Sequence, residues 1–234
     1  ALPNRRGASR IRRNFCNRSI WKILSKFIIF AIISHFPAEF NDKVENNVEK
    51  IQNIIYFYTW KKLTDVVKYN RIIIHRHVRP DGDCIGSQYA LKKAIMFNFP
   101  EKEVYAVGDI VPEYLNEYGA LDQVTPDMYT GALAIVVDTA TESRICNDSY
   151  KLADYIIKID HHDDSPDYAN INYVDPTSPA CASILVRLFR QWKFKLNKEI
   201  ATYLYLAITT DTGRFRYRGV NEEVLANAGY LLSY

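Results

Sequence analysis

The chain has 234 residues, 48% apolar and 13% aromatic, enough for one large or two small packed domains and too apolar for a disordered segment. Its net charge of +3 conceals an asymmetry: residues 1–38 hold eight of the 30 basic residues and no acidic one, leaving a mildly acidic body with 22 basic against 27 acidic residues. Such a body argues against binding duplex nucleic acid, which takes a broad basic face. The scattered cysteines, Cys16, Cys84, Cys146 and Cys181, form no Cys-x-x-Cys pair and point to free thiols in a reducing cytosol rather than to a zinc knuckle or a disulfide framework.

In chain order, the Arg-rich start leads into residues 21–36, whose apolar core at 27–34 is shorter than the about 20 residues of a membrane span. It resembles a secretory signal or a membrane-surface anchor, and is expected to be peripheral to function or to come from a misassigned start. Helical patterns follow at 43–58 and 60–69, so residues 1–58 read as an extension and residues 59–234 as the body. Four β-branched apolar runs, 71–75, 104–107, 132–137 and 155–159, read as strands. Helices are expected at 87–97, 112–118 and 148–154 between them, and at 180–192, 198–209 and 221–234 after them. Apolar strands alternating with helices predict an α/β fold: a doubly wound, mostly parallel sheet covered on both faces, followed by a helical C-terminal part. In such sheets ligands bind beyond the carboxyl ends of the strands.

The ionisable residues fall at those ends. His77 and the pair Asp81 and Asp83 follow the first strand. Asp138 follows the third, and Asp160-His161-His162 closes the fourth. Gly82 lets Asp81 and Asp83 aim at two neighbouring metals from one turn. With His77 they form a mixed imidazole and carboxylate set suited to Mn²⁺, Fe²⁺, Co²⁺ or Mg²⁺ rather than to thiolate-loving zinc. Asp138 is the natural bridge between two ions. Plainer readings compete: a solvated Pro-Asp-Gly turn for Asp81 and Asp83, a helix N-cap for Asp138, a turn cap for Asp211, and a solvated Arg214 in place of a phosphate-binding one. His75 is expected to be a hydrogen-bonded core histidine. The Asp160-His161-His162 triplet is hardest to read as structural, because three ionisable groups ending a buried strand cost several kcal/mol without partners.

Taken together, His77-x-x-x-Asp81-x-Asp83, the lone Asp138, Asp160-His161-His162 and Asp211 resemble the motifs of the DHH phosphoesterase superfamily. The stretches 72–88 and Asp211-Thr-Gly-Arg-Phe-Arg-Tyr217 are most similar to its bacterial oligoribonucleases that also act as phosphatases on 3′-phosphoadenosine 5′-phosphate; the likeness covers roughly residues 60–234. It implies two divalent ions, Mn²⁺ first and Mg²⁺ or Co²⁺ as alternatives. One would be held by His77, Asp81 and Asp138, the other by Asp83, Asp138, His161 and Asp211. Asp160 would orient an imidazole, while His162 and Arg214 would face the scissile phosphate. The implied activity is a cytoplasmic phosphoesterase in which metal-activated water cuts short single-stranded RNA or a mononucleotide bisphosphate. Cyclic-dinucleotide phosphodiesterase, single-strand exonuclease, pyrophosphatase or polyphosphatase activity are alternatives, and a non-catalytic nucleotide sensor is one from another class. Family members of this type carry a second domain with a glycine-rich motif. Nothing after Gly219 resembles it, so the chain is expected to stop short of that domain.

Overall fold

A computed structural model describes residues 68–234. The basic stretch 1–38, the helical pattern at 43–58 and all but the end of the one at 60–69 lie outside these residues. The described part belongs to one unit, Lys62–Tyr234. Five strands, β1 (Arg71–His75), β2 (Glu103–Ala106), β3 (Leu133–Val137), β4 (Tyr155–Asp160) and β5 (Ile171–Val174), form one sheet in the order β2-β1-β3-β4-β5. Every pairing is parallel. Four helices complete it: α1 (Gly82–Asn98), α2 (Cys181–Gln191), α3 (Lys198–Asp211) and α4 (Glu222–Leu231).

The four expected strands form within one residue of their predicted bounds. The fifth, Ile-Asn-Tyr-Val at 171–174, was not anticipated, because four residues with one polar among them carry little periodicity. α1 starts at Gly82, five residues earlier than its apolar pattern suggests, since Asp81 caps it by accepting a hydrogen bond from the Cys84 amide at 3.0 Å. Asp81 and Asp83 therefore sit at the N-cap and in the first turn of a helix, not in a free solvated turn. The helices expected near 112–118 and 148–154 are short 3₁₀ segments, Glu113–Tyr118 and Asp148–Leu152.

Side chains alternate across the strands, so the sheet has two distinct faces. Ile73, Ala134 and Val136 pack with Tyr129 and Tyr150, contributed by 3₁₀ segments. By register the other face carries Ile74, Ile135 and Ile157, and α1 and α2 pack on strands of the sheet. All five residues of β3 are buried, as expected for a central parallel strand. His75 is a core residue, as anticipated. It is fully buried, its Nε2 lies 3.0 Å from the Tyr129 hydroxyl, and burial lowers its pKa to about 3.

The chain crosses from the edge strand β2 to β3 on the far side of β1, which opens a crevice between the carboxyl ends of β1 and β3. Two devices fix that crevice. Arg76, fully buried, donates to Gln88 Oε1 at 3.0 Å, to Asp109 Oδ1 at 3.4 Å and to the Ile110 carbonyl, tying the end of β1 to α1 and to the loop after β2. α1 also lies against α3 at unusually close range. A Cβ on Gly86 would meet the Tyr203 carbonyl oxygen at 2.6 Å and the Ala207 Cβ at 2.7 Å, and one on Gly82 would meet the Thr210 side chain at 2.5 Å. This approach brings the end of α3, and Asp211, to the start of α1. Gly86→Ala should therefore force the helices apart and lower the unfolding free energy by about 1–3 kcal/mol, an ordinary overpacking cost, measurable by urea denaturation. A loss below about 0.5 kcal/mol, the scatter of inert surface changes, would mean that the close approach is not needed.

Candidate metal centre

Six polar side chains converge over the crevice, each delivered by a different local device. His77 lies two residues past β1 in a bridge to Ile145, flanked by a 2.7 Å bond from the Val78 amide to the Arg144 carbonyl. Its Nδ1 donates to the Val78 carbonyl at 2.9 Å, so Nε2 faces the carboxylates: 3.5 Å to Asp138 Oδ2 and 3.7 Å to Asp81 Oδ2. Asp138 follows β3 with a positive φ of 49°, a conformation that Asp tolerates better than most residues. It caps no helix: the 3₁₀ turn at Glu142–Arg144 begins after Thr141, without a side-chain cap.

Asp83 is 1% exposed and is held from the opposite side. Its carboxylate accepts from the Cys181 amide at 2.6 Å, the Ala182 amide at 3.0 Å and Ser87 Oγ at 3.0 Å, so it caps the start of α2 from another helix. Asp211 is the last residue of α3, where the helix dipole disfavours a carboxylate. An acid at the wrong end of a helix calls for another reason to be there, and its neighbours supply one.

His161 is that neighbour. Its Nδ1 donates to the Ser178 carbonyl at 3.2 Å, which leaves Nε2 among three carboxylates: Asp138 Oδ1 at 3.3 Å, Asp211 Oδ2 at 3.4 Å and Asp83 Oδ2 at 3.9 Å. The adjacent ring behaves differently. His162 Nδ1 lies 2.7 Å from Asp160 Oδ1, so the carboxylate of the triplet orients His162 rather than His161. The two rings stand 4.7 Å apart.

The sequence-predicted residues thus fall into two sets sharing Asp138: His77 with Asp81, and His161 with Asp83 and Asp211. His162 and Asp160 stand alongside. Arg214 does not join them. It is exposed, in a turn where Gly213, Arg214 and Phe215 all have positive φ, and no ion pair from it to the cluster occurs among the described residues. Two participants escaped the sequence reading. The buried Cys84 has its sulfur within 4.8 Å of ligand atoms of His77 and Asp138. Lys158, read as part of an apolar run, is fully buried beneath Asp160. Its Nζ donates to the carbonyls of Ala140 at 2.8 Å and Pro166 at 3.0 Å, 3.8 Å from Asp160 Oδ2 and 4.4 Å from the Tyr168 ring centre. A lysine in the middle of a buried strand, two residues before an aspartate, was the available signal.

The charge balance asks for a cation. Asp138, 2% exposed, has for its Oδ1 only His161 Nε2 at 3.3 Å and no hydrogen bond of good geometry, and a buried charged group short of partners costs about 1–3 kcal/mol or more. Burial pushes Asp83 well above the usual carboxylate range, reinforced by the Asp138 charge, and lifts Asp211 to about 6. Burial opposes the charged form of His161, but its contact with Asp138 and the charges of Asp83, Asp138 and Asp211 prevail and raise it to about 10. The surrounding carboxylates thus favour the protonated form of His161. Imidazole and carboxylate donors around a buried, poorly satisfied carboxylate fit divalent ions.

A pH dependence follows. The His161 pKa lies above its ordinary value of 6.5, so its contribution to folding is complete below about 6.5 and is lost as pH rises towards about 10. The melting temperature of the metal-free protein should fall over that window. Because a metal takes the deprotonated imidazole, the stabilisation by saturating Mn²⁺ should grow over the same window. Melting curves at pH 6.5, 8 and 9.5 check both slopes; a metal-free melting temperature that rises across this range would contradict the charge assignment.

No helix among the described residues is long and apolar enough to cross a membrane. Comparison with known proteins agrees with the motif reading. The probable bifunctional oligoribonuclease and PAP phosphatase NrnA of Streptococcus mutans is 40% identical over 172 residues, 74% of this chain and 55% of that one. The corresponding Bacillus subtilis protein is 38% identical over 169 residues, 71% and 54% of the two chains. The chain spans about half the length of these curated relatives. Among solved structures, an exopolyphosphatase-related protein from Bacteroides fragilis superposes with a TM-score of 0.68 at 24% identity, over 75% of this chain and 56% of that one, a likeness of fold. The model of the DHH family, N-terminal domain, matches residues 71–208, more than half of the sequence, and the chain belongs to the DHH family.

Proposed function

We propose that residues 59–234 are the catalytic part of a cytoplasmic, metal-dependent phosphoesterase that hydrolyses short oligoribonucleotides and 3′-phosphoadenosine 5′-phosphate. The observation that carries the chemistry is the position of Asp138, between two imidazole Nε2 atoms and sharing its neighbourhood with three other carboxylates. The names of the relatives carry the substrate class. His77, Asp81 and Asp138 would hold one divalent ion, and Asp83, Asp138, His161 and Asp211 the other. Such ions, Mn²⁺ first, with Mg²⁺ or Co²⁺ able to substitute, supply an activated water and neutralise charge on a phosphoryl group.

The side chains do the rest. Backbone carbonyls fix the tautomers of His77 and His161 and present Nε2 of each ring. Asp83 is immobilised by two amides and a hydroxyl, so its reach towards the cluster costs no reordering on binding. Asp160 holds the Nδ1 proton of His162, which leaves Nε2 to exchange a proton with a phosphate or leaving-group oxygen. Arg214, exposed on the turn after Asp211, would meet a phosphate arriving from solvent only by reaching in from outside the cluster.

The test is an assay of the natural full-length protein with Mn²⁺ against di- to pentaribonucleotides, 3′-phosphoadenosine 5′-phosphate, cyclic di-AMP and pyrophosphate. Turnover of the short ribonucleotides and the bisphosphate is expected. Hydrolysis of pyrophosphate alone would overturn the substrate assignment, and metal-independent turnover would overturn the mechanism.

A further inference from the structure

Beside the cluster a cleft of about 300 Å³ opens, lined by the cluster residues His161 and Asp211, by Asp163, Ser178 and Thr212, and by Pro176, Pro179, Val220 and Tyr217. We propose that this cleft seats the nucleobase of a nucleotide whose phosphate lies at the metal centre, with Tyr217 as its stacking platform. The proposal rests on the phosphoesterase reading for what lies at the charged end.

Tyr217 is 62% exposed but is not loosely placed. Its ring lies so close over Gly213 that a Cβ there would come within 2.4 Å of it. Its amide donates to the Thr212 carbonyl at 3.0 Å, and its carbonyl accepts from the Val220 amide at 3.1 Å. The turn that delivers it holds Arg214 and Phe215 at φ values of 60° and 61°, a left-handed geometry that costs roughly 1–2 kcal/mol per residue. Strain of this kind persists where the surroundings over-determine it. The result is a flat aromatic face, fixed at the mouth of a cleft, with no ring partner among the described residues.

The chemistry of the walls selects the occupant. A nucleotide is charged at one end and flat and aromatic at the other, and the cleft combines the cluster's carboxylate and imidazole with prolines, valine and tyrosine. Its volume lies at the lower end of the about 300–1,000 Å³ of ligand pockets, suited to one nucleoside-sized group. A phosphate chain without bases gains no stacking from the Tyr217 ring. The segment carrying the ring alternates exposed Arg214, Arg216 and Arg218 with aromatic residues in a body that is otherwise acidic, the combination that tracks a single strand and stacks its bases.

Calorimetry on the natural full-length protein with Ca²⁺ decides the matter without depending on turnover. Adenosine 5′-monophosphate should bind roughly 5- to 150-fold more tightly than ribose 5-phosphate, the range of one base–aromatic stack. Tyr217→Ala should remove that preference and leave ribose 5-phosphate binding unchanged, while Tyr217→Trp should retain it. Equal affinity for the two ligands in the unaltered protein, or a preference that survives Tyr217→Ala, overturns the proposal. Absence of hydrolysis in the Mn²⁺ assay with this preference intact would instead remove the catalytic reading and leave a nucleotide-binding cleft.

Discussion

Asp138→Asn is expected to lower phosphoesterase turnover by about 10²- to 10³-fold, the scale seen when a single charge-stabilising group is removed from an active site, while leaving the protein folded. Asparagine has the shape of aspartate and tolerates the positive φ of 49° at this position. Alanine would add backbone strain of roughly 1–2 kcal/mol and blur the result. The substitution removes the one charge that both donor sets share: Oδ2 lies 3.5 Å from His77 Nε2 and Oδ1 lies 3.3 Å from His161 Nε2. Mn²⁺ at a hundredfold excess over its dissociation constant stabilises a folded protein by about 2.7 kcal/mol per site, worth about 5–10 °C in a chain of this size. That shift should be strongly reduced in Asp138→Asn. A variant that keeps more than a tenth of the turnover, or the full Mn²⁺ shift, would remove Asp138 from the centre of the site.

Lys158→Met should be the costliest single change away from the cluster. Methionine keeps the length and the apolar stem, so packing is nearly conserved. What disappears is the ammonium that satisfies the carbonyls of Ala140 and Pro166 and faces the fully buried Asp160. Burial pulls the pKa of Lys158 below its ordinary value, and Asp160 offsets only part of that. Removing one member of a buried pair costs about 3–5 kcal/mol, which urea denaturation resolves easily. Asp160, left with Ser165 and His162, holds the His162 ring less well, and turnover should also fall by about 10- to 100-fold, the usual effect of losing a supporting interaction. A stability change below about 1 kcal/mol, an ordinary single-substitution effect, would mean that water replaces the ammonium.

The parts of the molecule legible in the sequence are those where one local pattern decides the outcome. β1, β3 and β4 are continuous β-branched or apolar runs, and their parallel stacking follows from the helical segments between them. The triplet Asp160-His161-His162 was readable because it ends such a run. Harder to read were features set by contacts distant in the chain. The early start of α1 depends on a cap by Asp81, a residue that reads equally well as part of a turn. Asp83 reads as one of a pair with Asp81, whereas in space it is fixed by the amides of Cys181 and Ala182, about a hundred residues away. Which ring of the histidine pair enters the carboxylate cluster is decided by the Ser178 carbonyl, which fixes His161, and by Asp160, which fixes His162. No spacing encodes that choice. Lys158 was missed because hydropathy patterns treat a single charge in a strand as noise, whereas burial makes it a structural requirement.

The binuclear centre is the central claim, and the direct measurement is metal binding itself. Equilibrium dialysis against Mn²⁺, followed by low-temperature electron paramagnetic resonance of the loaded protein, should give two ions per chain with the exchange-coupled signal of a pair about 3.5–4 Å apart, both reduced in Asp138→Asn. One ion per chain with an isolated Mn²⁺ signal, or two ions without coupling, would contradict a centre built around Asp138.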